Sequence, residues 1–260
     1  MKEEKVWFEN SKGKKICGLM CIQDNAPAIL MVHGVMPRTD KHEFGEFDKI
    51  APKLHEAGYS TLRFDFNGHG ETEGDHVDVS IENYKDDMKS ALDFLFKQNI
   101  NKDKVGVFTN SFGGVVAILS NDERIKAFVL NSTPTPSDDD IENVFRDANP
   151  NWKEEVKEKG YFIYTKRKIS EENRKKVGMH IYNFAKTSDL KKDIKKINKP
   201  LLILCAELDE FVSVDSLKKL FEAANEPKKF IFMKDTRHCC TDKIEDLIKS
   251  TLDFFNKWVK

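Results

Sequence analysis

The sequence predicts an α/β protein whose central sheet is mostly parallel and covered by helices on both faces. Short apolar runs such as 28–32 and 201–205 are continuous rather than alternating, which is typical of strands buried on both sides. Segments with apolar residues at helical spacing, such as 80–98, lie between these runs. Strands alternating with helices in this way favour parallel pairing through helical crossovers.

The predicted elements follow one another in a regular order. The chain opens with a predicted β-hairpin over 5–22, whose turn lies at Asn10-Ser11-Lys12-Gly13. Strands are then predicted at 28–32, 59–64, 105–109 and 125–130, with helices at 46–57, at 80–98 and directly after Ser111. Gly58 marks the end of the first helix and Ser80 caps the second. After an interruption come a strand at 200–205, a helix at 213–224, a strand at 229–233 and a helix at 242–258.

Residues 134–197 interrupt the alternation after the sixth strand. The segment opens with two prolines and an acidic turn, is rich in lysine, and carries scattered aromatic residues: Trp152, Tyr161, Phe162, Tyr164, Tyr182 and Phe184. We predict an inserted cap over 134–197 above a core formed by 1–133 and 198–260. The aromatic residues can form the core of the cap or contact a substrate, and the sequence does not decide between these roles.

Composition excludes several classes of protein. The 43 basic and 44 acidic residues nearly cancel, so the clustered basic excess of a nucleic-acid-binding surface is missing. No secretory signal follows the charged start of the chain, and no apolar run approaches the roughly 20 residues of a membrane span. The five cysteines lack metal-ligand spacing. We expect a cytoplasmic protein with reduced thiols that binds no metal, cofactor, nucleic acid or membrane; its oligomeric state is left open.

The segment around Ser111 has the pattern of a sharp strand-to-helix turn. An apolar strand ends at Thr109-Asn110-Ser111, two glycines follow at 113–114, and an apolar helix begins. A serine on such a turn projects from the sheet beside the free N–H groups at the start of the helix, which suits a nucleophile. Gly113 is expected where helix and strand backbones approach closely.

Polar residues collect after the other predicted strands. His33-Gly34-Val35 follows the strand 28–32, Asp65 to Gly70 follows 59–64, Glu207 and Asp209 follow 200–205, and Asp235 and His238 follow 229–233. In an open parallel sheet the ligand site lies at the carboxyl ends of the strands. Nucleophilic catalysis needs a hydroxyl, a base and an acid that orients the base, and this edge supplies them in the order Ser111, Asp209, His238. Glu207 and Asp235 remain the alternatives for the acid.

Over nearly its whole length the chain resembles the α/β-hydrolase superfamily in the order of these residues. The resemblance implies that Ser111 is the nucleophile, His238 the general base and Asp209 its orienting acid. It also implies an oxyanion hole formed by the backbone N–H groups of Val35 and Phe112.

The run Arg63-Phe64-Asp65-Phe66-Asn67-Gly68-His69-Gly70 carries a closer resemblance, to bacterial feruloyl and cinnamoyl esterases, which also have an inserted cap. This implies hydrolysis of esters of small aromatic or short-chain acids through an acyl-enzyme on Ser111. A thioesterase, acyltransferase or serine peptidase with the same residues, or a hydrolase-fold protein that only binds a ligand, remains an alternative.

Two positions depart from the family pattern. The usual glycine two places before the nucleophile is Thr109, a β-branched residue that must fit under a strained turn. The proline that often follows the acid loop is Ser213, a change we interpret as neutral. His33 is expected to shape the oxyanion loop, and His69 and Asp65 to stabilise their own turn.

Overall fold

A computed structural model describes residues 3–35, 46–135, 138–165 and 175–260, of which 138–140 are described by backbone alone. The strands are β1 (Glu4–Glu9), β2 (Lys15–Cys21), β3 (Ala26–Val32), β4 (Ser60–Phe64), β5 (Ile100–Asn110), β6 (Ala127–Asn131), β7 (Phe162–Ile163), β8 (Lys176–Val177), β9 (Leu201–Ala206) and β10 (Lys228–Met233). The α-helices are α1 (Phe47–Glu56), α2 (Ile81–Leu95), α3 (Phe112–Ser120), α4 (Asp138–Ala148), α5 (Trp152–Lys159), α6 (His180–Thr187), α7 (Leu190–Ile194), α8 (Val214–Ala223) and α9 (Ile244–Trp258). Within these described residues, 3₁₀ segments cover His76–Asp78 and His238–Lys243.

Eight of the strands form one sheet in the order β1-β2-β4-β3-β5-β6-β9-β10. The pairings from β4 through β10 are parallel, whereas β1–β2 and β2–β4 are antiparallel, as expected for a mostly parallel sheet that opens with a hairpin. After β3, the next strand β4 pairs on one side of β3, and the following strand β5 pairs on its other side. The strand order therefore reverses between β3 and β5, and the crevice at their carboxyl ends is where such sheets bind ligands.

Alternate residues of the central strands pack on opposite faces of the sheet. In β3, Leu30 and Val32 join one apolar cluster with α2 and α3, while Ile29 and Met31 join a second cluster with α1 and α9. All four side chains are fully buried. The two-layered core confirms that helices cover both faces, as the continuous apolar strands predicted.

Strand β5 begins earlier than the sequence pattern predicted. It starts at Ile100 rather than at Val105, and its pairing with β3 shifts between Ala26 and Ala28. The intervening residues Asn-Lys-Asp-Lys are polar, so this first part of the strand carries no apolar run. A bulge of this kind has no hydropathy signature.

The segment between β6 and β9 contributes α4 to α7 and the short β7–β8 pair. Phe145, Trp152 and Phe162 are buried, and their ring centroids lie 5.0 to 6.2 Å from one another. Tyr182 packs on Phe145 and Trp152 at 5.8 and 5.2 Å. These four aromatic side chains therefore form a local core, and burial removes the first three from contact with a substrate in this conformation.

Along the part of the chain that the structure describes, no helix has both the length and the apolarity needed to cross a bilayer.

Candidate active site

Ser111 occupies the turn between β5 and α3 in a strained backbone conformation. Its φ of 52° and ψ of −127° lie in a region that residues with a side chain rarely adopt. Such a conformation costs about 1–3 kcal/mol and persists only where the surroundings impose it. The Ser111 N–H donates to the Asn131 carbonyl at 2.8 Å, and the Ser111 carbonyl accepts from Gly114 at 3.0 Å. The turn is thus held from β6 on one side and from the first turn of α3 on the other.

Close packing explains the small residues around this turn. A Cβ on Gly113 would lie 2.5 Å from the carbonyl oxygens of both Val32 and His33, which confirms the expected approach of α3 to β3. A Cβ on Gly34 would lie 3.2 Å from the Ser111 Cβ, so the loop after β3 lies directly against the serine. Thr109 is accommodated because its hydroxyl is buried and donates to the Val129 carbonyl at 3.1 Å.

His33 shapes the loop that carries Val35, as predicted. The Phe66 N–H donates to His33 Nε2 at 3.0 Å, so the ring proton lies on Nδ1, which donates to the Gly34 carbonyl at 2.7 Å. That carbonyl belongs to the same peptide plane as the Val35 N–H. The histidine therefore fixes the direction of this N–H, and a donor on the carbonyl polarises the peptide.

Asp209 and His238 are brought together from the ends of two neighbouring strands. The His238 Nδ1 lies 2.8 and 2.9 Å from the two carboxylate oxygens of Asp209. Asp209 Oδ1 also accepts from the N–H groups of Phe211 and Val212 at 3.0 Å each. The carboxylate side chain is fully buried, whereas 17% of the His238 side chain is exposed. With Nδ1 bound to the carboxylate, the other ring nitrogen of neutral His238 is a proton acceptor.

This pairing shifts both pKa values in the directions expected for an acid that holds a base. Burial favours the neutral form of Asp209, but the hydrogen bonds from His238 and the two backbone N–H groups outweigh it and lower its pKa. For His238 burial likewise disfavours the charged form. The Cys239 side chain and the Asp209 carboxylate outweigh that penalty, so the pKa of His238 is raised above its usual 6.5. Asp209 therefore stays ionised near neutral pH.

If His238 is the base, kcat/KM should fall as pH decreases through the raised His238 pKa, because only the neutral imidazole can accept a proton. We expect the midpoint of this acid limb above 6.5. It can be measured with p-nitrophenyl acetate after subtraction of spontaneous hydrolysis. The residual activity of Asp209→Asn serves as the control, since losing the carboxylate should move its limb to lower pH. Constant kcat/KM down to pH 5 would contradict this assignment.

The competing acids Glu207 and Asp235 lie in loops that bond to each other. Glu207 Oε2 accepts from the Asp235 N–H at 2.9 Å, which ties the loops after β9 and β10 together. Asp235 itself has a φ of 51°, a conformation that aspartate tolerates in tight turns. Among the three acids considered from the sequence, Asp209 is the one that the structure places on the His238 ring.

A buried amide network connects the serine turn to the histidine loop, and sequence reasoning missed it. Asn131 Nδ2 donates to Asn110 Oδ1 at 2.8 Å and to the Cys239 carbonyl at 2.9 Å, while its own carbonyl accepts from Ser111. Asn110 Nδ2 in turn donates to Glu46 Oε2 at 2.9 Å. One asparagine thus bonds both the serine and the residue after His238. The available signal was two asparagines at the ends of neighbouring predicted strands.

The run from Arg63 to Gly74 forms a packed turn. A Cβ on Gly70 would lie 2.0 Å from Asp65 Oδ2, and the Thr72 hydroxyl donates to the Asp65 carbonyl at 2.8 Å. The buried Arg63 guanidinium pairs with Glu3 and Asp48. The Asp65 backbone thus belongs to the packed turn, the role of its side chain stays a prediction, and Arg63 is paired with carboxylates of the fold.

The cysteines of the protein are buried, and two of those near the site are protonated thiols. All five lie within the described residues, all are buried, and none forms a disulfide. Burial raises the pKa of Cys205 to about 11 and raises that of Cys240 as well, so both remain protonated thiols near neutral pH. Within the described ranges, no group of three or more His, Cys, Asp or Glu residues has an arrangement that could hold a metal ion.

Comparison with known proteins identifies the family of this chain. Residues 23–243 match the Hydrolase_4 family, described as serine aminopeptidase, S33. A putative esterase/lipase 2 of Mycoplasma pneumoniae is 30% identical over 92 residues, which cover 34% of this chain and 32% of that protein. The chain spans only about a third of the length of the curated relatives it matches.

Solved structures resemble the whole fold. The α/β hydrolase GrgF from Penicillium sp. sh18 superposes with a TM-score of 0.77 at 19% identity, covering 100% of this chain and 99% of that one. Est1E from Butyrivibrio proteoclasticus, solved with ferulic acid bound, gives a TM-score of 0.74 at 19% identity over 97% and 98%. These likenesses establish the architecture, and the family match covers most of the chain. The protein is therefore an α/β hydrolase of the Hydrolase_4 family.

Proposed function

We propose that this protein is a serine hydrolase that cleaves carboxylic esters through an acyl-enzyme on Ser111. His238 accepts the Ser111 hydroxyl proton as the oxygen attacks the ester carbonyl, then donates it to the departing alcohol. Water, deprotonated by the same imidazole, next attacks the acyl-enzyme and releases the acid, returning Ser111 to its starting form. Asp209 holds the His238 tautomer throughout.

The observation that carries this proposal is the backbone conformation of Ser111 at the carboxyl end of β5, with φ at 52°. A serine needs no such strain to cap a helix, and the Ser111 side chain makes no capping hydrogen bond to α3. Strained residues of this kind cluster at active sites, where the strain presents a reactive group. The Asp209–His238 pair, whose loop is joined to the serine turn through Asn131, would supply the base that this hydroxyl needs.

The oxyanion hole in this proposal uses the N–H groups of Val35 and Phe112. Phe112 is the first residue of α3, so its N–H has no partner within the helix ladder. The Val35 N–H lies on the loop that packs against the Ser111 side chain. Both N–H groups belong to backbone that is already fixed, and fixed donors stabilise a developing oxyanion most effectively.

For the substrate we propose esters of small aromatic or short-chain acids. Support comes from the Arg63–Gly70 run shared with feruloyl and cinnamoyl esterases and from the fold of the protein solved with ferulic acid. Aromatic contacts of the proposed site residues also support it: Phe184 of α6 meets the Phe112 ring at 6.2 Å, and Phe211 meets the His238 ring at 5.1 Å. In this proposal residues 134–197 act as the cap over the core, with Phe184 as part of its site-facing wall.

A substrate panel with the full chain tests the proposed function. We expect fluorophosphonate labelling and faster turnover of p-nitrophenyl acetate and methyl ferulate than of acyl thioesters or aminoacyl p-nitroanilides. The anilide arm matters because the family description names an aminopeptidase, and the same residues can attack an amide carbonyl. Preferential cleavage of aminoacyl anilides would replace the esterase proposal with a peptidase. Labelling without turnover of any of these substrates would contradict it as well.

Replacing Phe184 by leucine tests the proposed aromatic wall. Because aromatic pairs contribute about 0.5–1.5 kcal/mol beyond simple burial, we expect kcat/KM for methyl ferulate to fall roughly 2- to 10-fold relative to that for p-nitrophenyl acetate. Phe221→Leu is the matched control, since Phe221 of α8 packs on Phe230 of the edge strand β10. Equal effects of Phe184→Leu on both substrates would remove Phe184 from the acyl pocket.

A further inference from the structure

The carbonyl of Val35 is a meeting point for histidine side chains outside the proposed catalytic residues. The Nε2 atoms of His69 and His76 each lie 3.1 Å from this oxygen. A carbonyl oxygen only accepts hydrogen bonds, so the short contact places a proton on His76 Nε2. His69 faces a second carbonyl, that of Asn67, with its Nδ1 at 3.2 Å, and the Tyr84 hydroxyl also lies within 3.5 Å of its ring. His76 also lies near the Lys176 carbonyl, but its Nδ1 makes no hydrogen bond within the described residues, so the ring proton lies on Nε2 and His76 is the clearer donor to Val35.

Both rings are held in place and uncharged. They are 6% and 2% exposed, and they contact one another with ring centroids 4.6 Å apart. Burial lowers the pKa of His69 to about 4 and that of His76 to about 3. Near neutral pH neither ring carries a charge, so His76 acts as a fixed donor and takes no part in proton transfer.

The Val35 carbonyl matters because of its place beside the proposed oxyanion donor. The Val35 N–H lies in the Gly34–Val35 peptide plane, which His33 fixes through the Gly34 carbonyl. The Val35 carbonyl lies in the next peptide plane, which His76 fixes. With both planes held, rotation about the two backbone bonds of Val35 is restricted, and its N–H keeps one direction.

The 3₁₀ segment that carries His76 is packed between two other segments of the chain. A Cβ on Gly68 would lie 2.8 Å from the His76 nitrogen, so the preceding turn packs directly on it. On the other side, a Cβ on Gly178 would lie 2.0 Å from the Val77 carbonyl. Gly178 follows strand β8 of the 134–197 insertion. The backbone of the insertion at Gly178 therefore packs directly against the backbone of Val77, the residue next to His76.

We propose that His76 is a positioning residue for the oxyanion hole, which it orients through the Val35 carbonyl, and that the contact of Gly178 with Val77 keeps it in place. This inference rests on the proposed function. In this proposal the insertion helps to position the oxyanion hole as well as forming a wall of the pocket. Displacing β8 from Val77 would shift His76 and allow the Val35 N–H to change direction.

The test compares His76→Gln, which retains a side-chain N–H donor, with His76→Phe, which retains a planar ring and loses the donor. With p-nitrophenyl acetate we expect His76→Phe to lower kcat about 10- to 100-fold, less than the roughly 10²- to 10³-fold cost of deleting an oxyanion donor. KM should stay within about twofold, and His76→Gln should recover most of the loss. Affinity for phenylboronic acid, which forms a tetrahedral adduct with an active serine, should weaken in parallel with kcat/KM.

Gly178→Ala provides an independent variant that leaves the imidazole intact, and we expect it to lower kcat and boronate affinity in the same proportion. His55→Phe is the matched control, because this half-buried histidine contacts Cys21 and Gln23. Its kcat and its affinity for phenylboronic acid should equal those of the wild type. The proposal is overturned if folded His76→Phe or Gly178→Ala keeps wild-type kcat and boronate affinity, or if His76→Gln is as damaged as His76→Phe. If the wild-type chain shows neither fluorophosphonate labelling nor turnover, the proposed function itself has failed.

Discussion

Ser111→Ala should abolish covalent labelling by a fluorophosphonate and reduce ester turnover on the order of 10³-fold or more. Attack on the carbonyl needs the hydroxyl oxygen, and without it only substrate binding and oxyanion stabilisation remain. The fold should be retained, because the Ser111 hydroxyl makes no capping hydrogen bond to α3 and the turn is held by backbone contacts. Labelling is measured by intact mass, turnover with p-nitrophenyl acetate, and folding by thermal unfolding.

Ser80→Ala is the matched serine-to-alanine control for this measurement. The Ser80 hydroxyl caps α2 by accepting from the Asn83 N–H at 3.2 Å, so its loss should lower the free energy of unfolding by about 1 kcal/mol and leave labelling intact. Ester turnover by Ser111→Ala at a rate near that of the wild type would remove the proposed mechanism. Labelling of Ser111→Ala at another residue would show that the nucleophile is misassigned.

Asp209→Asn should lower kcat by roughly 10³- to 10⁴-fold, the cost of losing the carboxylate that fixes the base's tautomer. An amide in place of the carboxylate can donate an N–H to His238 Nδ1. The ring proton of His238 then lies on Nε2, the nitrogen that should accept the Ser111 proton. Asp209 also accepts from Phe211 and Val212, so some loss of stability is expected and is measured alongside.

Glu207→Gln and Asp235→Asn are the controls for the choice of acid. Glu207 bonds the Asp235 backbone, and neither carboxylate is placed on the His238 ring, so each variant should keep kcat within a few-fold of the wild type. A larger loss in Glu207→Gln than in Asp209→Asn would assign the acid to Glu207. Because Asp209 raises the pKa of His238, the acid limb of the pH profile should shift in Asp209→Asn and stay in place in both controls.

Much of the fold was predictable because its strands are buried on both faces. Continuous apolar runs such as that in β3 are typical of buried strands, and the helices between them carry an apolar stripe. The turn around Ser111 was also predictable, since a strand, a serine and two glycines in sequence leave little conformational choice. Strand β5 was predicted too short because a polar bulge interrupts its apolar pattern.

The role of the insertion's aromatic residues depended on contacts that no local pattern encodes. Phe145, Trp152 and Phe162 pack on one another, whereas Phe184 meets Phe112 at the serine turn. All four look alike in the sequence, because hydropathy records the type of a side chain and not its neighbour. The choice of Asp209 among three acids likewise depended on which loop places a carboxylate on His238.

Outside residues 134–197, the sequence by itself determined the order of strands and helices and the residue types at the carboxyl ends of the strands, since periodicity and turn residues act over a few positions. Only the tertiary structure decided which of those residues meet. Asn131 links the serine turn to the histidine loop across 108 positions to Cys239, and His76 reaches Val35 across 41. Such bonds join strand ends, loops and 3₁₀ segments that the order of the sheet brings together. The geometry of the proposed catalytic site is therefore a property of the packed sheet, although each residue type that builds it can be identified in the chain.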